Sequence, residues 1–307
     1  MAANALEVRD LHKVFKADIL KRRVTALQSV SFTVKEGEIF GFVGHNGAGK
    51  TTSLKIVVGL IFADSGSVSI FGRDTGHPGA RQPLGYLPEQ PYFYDYLTPT
   101  EALRFYGGLS GIPRRTLAQR IPQVLSEVNL EFAAHRAMRG FSKGMLQRLG
   151  MAQALVHDPK LLILDEPMSG LDPVGRKLMR DIILRQREQG RTVCFSSHVL
   201  SDVEDICDRV GIVIRGQMRA EGDVQTLLGP PDRIQVVVRD LTPEKERELE
   251  GFGALTKRGE TWQLTATDLS RQGDLMNWIK ARQVNLLEFG TRRKTLEELF
   301  VEAMNTN

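Results

Sequence analysis

Continuous short apolar runs separated by longer amphipathic stretches organise most of the chain. Val30–Val34, Ile39–Val43, Leu161–Leu164, Thr192–Ser196 and Ile212–Ile214 read as strands. Leu161-Leu162-Ile163-Leu164 and Val193-Cys194-Phe195 show no polar alternation. Such runs suit strands covered on both faces and predict an α/β core with a mainly parallel sheet. Between about residues 95 and 157 the strand pattern disappears, and Thr100–Gly107, Arg114–Val128 and Ser142–Val156 carry helical spacing instead. A helical subdomain is therefore expected as an insertion into the sheet domain.

At Gly229-Pro230-Pro231 the chain must leave helix and turn, which sets a boundary between domains at 1–228 and 232–307. Beyond it the pattern predicts strand Arg233–Val238, helix Pro243–Glu250, strands Ala254–Lys257 and Trp262–Thr265, helix Leu269–Ala281, strand Asn285–Phe289 and helix Leu296–Met304. That order, βαββαβ plus a helix, predicts a small α+β domain of ferredoxin-like type. Nothing in it suggests chemistry, and Trp262 and Trp278 are read as core.

With 307 residues, 41% hydrophobic and 25% charged, the chain has the composition of a soluble globular protein large enough for two domains. The longest apolar stretch, Ile56–Ala63, is far shorter than the roughly 18 residues of a membrane span. The N-terminus lacks a signal-like apolar region, so a cytoplasmic location is expected. Cys194, in an apolar strand, and Cys207, read as lying in an acidic helix, have no metal-ligand spacing and are taken as packing residues. A net charge of +4 gives no indication of a nucleic-acid partner. Lys21, Arg22 and Arg23 read as a solvated loop.

Chemistry enters at Gly44-His45-Asn46-Gly47-Ala48-Gly49-Lys50-Thr51-Thr52, a complete GxxxxGK[ST] phosphate loop behind the apolar run Ile39–Val43. Its glycines let backbone N–H groups surround the α- and β-phosphates, Lys50 adds positive charge for the β- and γ-phosphates, and Thr51 can place its hydroxyl on Mg²⁺. The following segment can open a helix whose N-terminal dipole favours the anion. Leu161-Leu162-Ile163-Leu164-Asp165-Glu166 is an apolar strand ending in two carboxylates. In phosphate-loop ATPases such an aspartate holds Mg²⁺ and a neighbouring acid can polarise water.

Further motifs in a fixed order make the chain resemble the ATP-binding subunit of an ABC transporter over about residues 5–228. Phe141-Ser142-Lys143-Gly144-Met145 stands where that family has its LSGGQ signature, Ser169-Gly170-Leu171-Asp172-Pro173 matches its D-loop, and Ser196-Ser197-His198 its switch histidine. The resemblance implies ATP and Mg²⁺ as ligands, with Thr51, Asp165 and Glu89 toward the metal. It also implies a dimer, homo- or heteromeric, in which Ser142, Lys143, Gly144 and Met145 close the ATP site of the other subunit. Glu166 would handle the attacking water, His198 report the γ-phosphate, Asp172 couple the two sites, and Phe15 stack on adenine. Three positions depart from the pattern: Lys143 replaces a glycine, Met145 a glutamine, and Glu89 stands at the glutamine of the Q-loop with Gln90 after it. Either Glu89 or Gln90 can reach the metal or the water.

These variants resemble single-domain ATPases of export-type ABC systems. The resemblance implies a separate membrane permease, met by the helical subdomain near Tyr92–Leu103, and a peripheral place at the cytoplasmic face of the cell membrane. The alternative from another class is a soluble ABC-type regulatory ATPase acting on ribosomes or DNA. The absence of tandem ATPase units, a long coiled-coil insertion and a strong basic tail counts against it.

Overall fold

The apolar runs become the buried strands of a central sheet. In the computed structural model, which describes residues 3–16 and 23–305, the chain divides into two compact units, Met1–Val224 and Gln225–Asn307. Lys21 and Arg22 lie outside the described residues. The first unit runs β1 (Asn4–Lys16), β2 (Arg23–Lys35), β3 (Ile39–Val43), α1 (Lys50–Val57), β4 (Ser65–Ile70), β5 (Arg73–Asp74) and β6 (Leu84–Leu87). Helices α2 (Pro99–Leu109), α3 (Arg114–Glu127) and α4 (Lys143–Leu155) follow. Then come β7 (Leu161–Leu164), α5 (Pro173–Glu188), β8 (Thr192–Ser197), α6 (Leu200–Ile206), β9 (Arg209–Ile214) and β10 (Gln217–Asp223), with α7 (Val224–Leu228) spanning the boundary.

The six-stranded sheet has the order β10-β9-β3-β8-β7-β6. Its neighbours are parallel except for the edge pair β9 and β10. Every residue of β3, β7 and β8 is buried, as expected for strands with both faces covered. A second, antiparallel sheet in the order β2-β1-β4-β5 packs on it through a shared apolar core. There Phe32 of β2 stacks on Phe40 and Phe42 of β3, with ring centroids 5.6 and 4.8 Å apart. Because β3, β6, β7 and β8 run parallel, their carboxyl ends lie at one edge, the place where open α/β sheets bind ligands.

The inserted segment is helical as its spacing predicts, with α2, α3 and α4 and no strand between β6 and β7. Strand β1 goes unrecognised in the sequence because register shifts between Val8 and Leu11 and again near Lys13 break its alternation. Strand β4 hides behind small polar residues, Ser65-Gly66-Ser67. Cys207 is not helical as read; it follows α6 in extended conformation, while Cys194 is fully buried in the core.

The second unit runs β11 (Arg233–Arg239), α8 (Pro243–Glu250), β12 (Ala254–Arg258), β13 (Thr261–Ala266), α9 (Gln272–Ala281), β14 (Asn285–Arg292) and α10 (Leu296–Asn305). Its sheet order β12-β13-β11-β14 with all neighbours antiparallel is the ferredoxin-like arrangement. Alternate residues Ile234, Val236 and Val238 of β11 and Trp262, Leu264 and Ala266 of β13 enter one core with Leu275 and Ile279 of α9. The helix predicted from Leu269 opens instead as a 3₁₀ turn, Leu269–Arg271, before α9.

Candidate active site

The phosphate loop is shaped by what its neighbours forbid. A Cβ on Gly44 would sit 2.4 Å from the carbonyl oxygen of Val213, and Gly49 has φ +107° with a would-be Cβ 2.7 Å from Leu27. Neither position admits a side chain without moving backbone, so the turn from β3 into α1 keeps its width. Asn46, Gly47, Gly49, Lys50, Thr51 and Thr52 line a polar cavity of about 480 Å³. Glu89, Glu166, Ser169, His198 and Ala26 of β2 complete its lining.

Lys50 Nζ donates to the carbonyls of Gly44 at 2.7 Å and His45 at 3.3 Å and lies 3.2 Å from Glu166 Oε1. The other oxygen of that carboxylate, Oε2, meets Nδ1 of His198 at 2.8 Å. One buried carboxylate thus joins the loop lysine to the histidine after β8. Glu166 holds a left-handed backbone, φ +47°. Its N–H is tied at 2.9 Å to Ser196 Oγ. A non-glycine residue in that region costs energy that the surroundings must supply. The turn it makes directs the carboxylate back into the cavity.

Asp165 is fixed beside it. Its Oδ1 accepts from Thr51 Oγ1 at 3.1 Å and from Ser196 Oγ at 2.7 Å. Burial raises the Asp165 carboxyl above the ordinary aspartate range despite these donors. Among the described residues no group of three or more His, Cys, Asp or Glu side chains forms a metal cage. One carboxylate and one hydroxyl beside a phosphate loop fit a cation that takes most of its ligands from phosphate oxygens and water, the habit of Mg²⁺.

The remaining predicted residues divide into those that reach the cavity and those that do not. Glu89 lines it; Gln90, His45 and Phe15 do not. Phe15 is 40% exposed near the end of β1, with Lys13 Nζ 5.6 Å from its ring centroid. Ser142, Lys143, Gly144 and Met145 are also absent from the lining. They form the start of α4, where Ser142 Oγ accepts from the N–H of Met145 at 3.3 Å. Asp172 caps α5 in the same way, accepting from Gly175 at 2.9 Å.

Ser196 carries no separate role in the sequence reading, yet it is the joint between Asp165 and Glu166. Only its place beside His198 at a strand end could have marked it. Ser196→Ala removes a donor from Asp165 and an acceptor from the Glu166 N–H, both buried. It is expected to cost about 2 kcal/mol of stability, read by denaturant unfolding, together with a loss of ATPase activity. An unchanged unfolding midpoint would show that the joint is dispensable.

The sequence profile described as ABC transporter matches residues 27–169. An ABC transporter ATP-binding protein of Synechocystis is 39% identical over 308 aligned positions, covering 98% of this chain and 85% of that protein. A linearmycin resistance ATP-binding protein of Bacillus subtilis is 33% identical over 294 positions, covering 90% of this chain and 93% of that one. The solved structure of an ATP binding subunit of an ABC transporter superposes with a TM-score of 0.67 at 27% identity, covering 98% of this chain and 100% of that chain. Identity of 39% held along 98% of the chain extends well beyond the nucleotide core, and it places this chain in the family of ABC transporter ATP-binding proteins.

Proposed function

We propose that the chain is the ATP-hydrolysing subunit of an ABC exporter, acting as a dimer that ATP closes and driving a separate membrane permease. The observation that carries the dimer is the separation of the signature from the cavity. Ser142 to Met145 form an exposed or half-buried helix start that contributes nothing to the lining of its own chain's site. An N-terminus of this kind presents free N–H groups and the positive end of a helix dipole, suited to a γ-phosphate supplied by a second subunit.

In this reading Lys50 leaves the carbonyls of Gly44 and His45 for the β- and γ-phosphates, which exchanges neutral acceptors for charged ones. Thr51 and Asp165 would hold Mg²⁺, which would supply charge neutralisation on the phosphates. Glu166 then orients or deprotonates the attacking water, and His198, bound to Glu166 in this form, turns toward the γ-phosphate. Glu89 or Gln90 would add a ligand to the metal or the water. Asp172 couples the two sites, and Phe15 offers its exposed ring to adenine.

Residues 1–228 form the ATP-binding domain in this proposal and 232–307 an accessory domain. No helix among the described residues is long and apolar enough to cross a membrane. In this proposal a separate permease chain spans it, and this chain sits peripherally at the cytoplasmic face. Tyr92, 81% exposed, with Tyr94 and Phe105 offers an aromatic surface on the helical subdomain for it, while Phe93 is buried in the core. The Bacillus subtilis relative is named for resistance to linearmycin, which supports export as the direction. The chain purified from detergent-solubilised membranes is expected to bring with it a hydrophobic membrane protein. Association with ribosomes or DNA and no membrane partner would overturn the transport reading.

A further inference from the structure

The hydroxyl of Tyr86 is buried and has no hydrogen-bond partner among the described residues. A buried hydroxyl in that state is uncommon and asks for a reason. Strands β6 and β7 pair in parallel with Tyr86 opposite Ile163 and Leu87 opposite Leu164, and the N–H of Asp165 donates to the Leu87 carbonyl at 2.8 Å. Tyr86 therefore stands one strand away from the acidic turn. Burial first, then the negative charges of Asp165 and Glu89, raise its phenol well above the usual tyrosine range, so it remains a donor.

Asp165 makes no hydrogen bond to it, and contacts from Thr51 and Ser196 to its Oδ1 hold that side chain in place. Glu89 differs in every respect. It follows Pro88, outside β6, is exposed, lines the cavity, and makes no hydrogen bond or ion pair among the described residues. An ionised carboxylate only accepts, whereas a glutamine at this position would bring donors of its own. A carboxylate in that role needs a donor to fix its orientation.

We propose that Tyr86 is a positioning residue whose buried hydroxyl donates to the Glu89 carboxylate when nucleotide and a divalent cation draw the Glu89 segment inward, holding that acid toward the cation. The proposal rests on the reading of Glu89 as a contributor to the metal or water site. The test uses the full chain with ATP and Mn²⁺ as the cation, the bound metal being counted by its paramagnetic resonance signal. Tyr86→Phe is expected to weaken Mn²⁺ binding to the ATP complex about tenfold, the effect of one lost hydrogen bond to a charged group. Metal-free ATP affinity and the melting temperature without nucleotide should stay at the wild-type values. Glu89→Ala should show a loss of Mn²⁺ binding, and Tyr86→Phe should add nothing to it. If Glu89→Ala leaves Mn²⁺ binding unchanged, the role of Glu89 fails and the inference with it. If Glu89→Ala weakens binding while Tyr86→Phe does not, or if the two losses add in the double variant, the role of Tyr86 alone is overturned.

Discussion

Glu166→Gln is expected to lower the ATP hydrolysis rate at least about 100-fold while leaving ATP binding intact. The substitution keeps the size of the side chain, and a carbonyl oxygen remains to face Lys50 or His198, so the cavity retains its shape. What disappears is the one carboxylate placed between the loop lysine at 3.2 Å and the histidine at 2.8 Å. An amide cannot take a proton from water at neutral pH. With hydrolysis stopped, ATP should accumulate in a closed dimer, seen as a doubling of mass by light scattering. Adding Ser142→Glu should disperse that dimer, since a carboxylate at the start of α4 opposes the γ-phosphate. Hydrolysis by Glu166→Gln at the wild-type rate would remove Glu166 from the chemistry. A dimer that survives Ser142→Glu would remove the signature from the composite site.

Lys50→Ala should act at an earlier step, with an ATP affinity lower by about 100-fold, the effect of losing two charge-assisted contacts to phosphate. It carries a second consequence visible only in the structure. Lys50 is 5% exposed and Glu166 7%, so removing the ammonium leaves a buried carboxylate with His198 alone. Stability without nucleotide should fall by about 3 kcal/mol, read by denaturant unfolding. The double variant Lys50→Ala with Glu166→Gln should recover most of that stability and none of the affinity. ATP binding by Lys50→Ala at wild-type strength would contradict the assignment of the lysine. A stability loss that persists in the double variant would show that the Lys50–Glu166 contact is not its source.

How legible each part was depended on whether its signal is local. The phosphate loop, the Leu161–Glu166 strand and the helices from Pro99 to Leu155 rest on neighbours in sequence, so spacing alone exposes them. The same holds for the element order of residues 233–305, where alternation in β11 and β13 marks the core face. Strand β1 resisted because bulges interrupt its period, and Ser196 because its two partners lie 30 and 31 residues away. Its hydroxyl matters only once β7 and β8 are side by side. The orphaned hydroxyl of Tyr86 has no sequence signature of any kind, since being without a partner is a property of the surroundings.

By itself the sequence determined that a phosphate-loop motif sits behind a buried strand, that the sheet is mainly parallel, and that a helical insertion and a second α+β unit accompany it. These follow from glycine spacing, apolar periodicity and turn residues, all of them short-range. Tertiary structure decided which side chains meet. Parallel pairing brings the ends of β3, β6, β7 and β8 to one edge, so Lys50, Glu166 and His198 converge on one cavity, with Asp165 behind it on Thr51. The same packing leaves Ser142 to Met145 outside it. Side-chain distances across strands are set by register and layer packing, and no pattern along one chain encodes them.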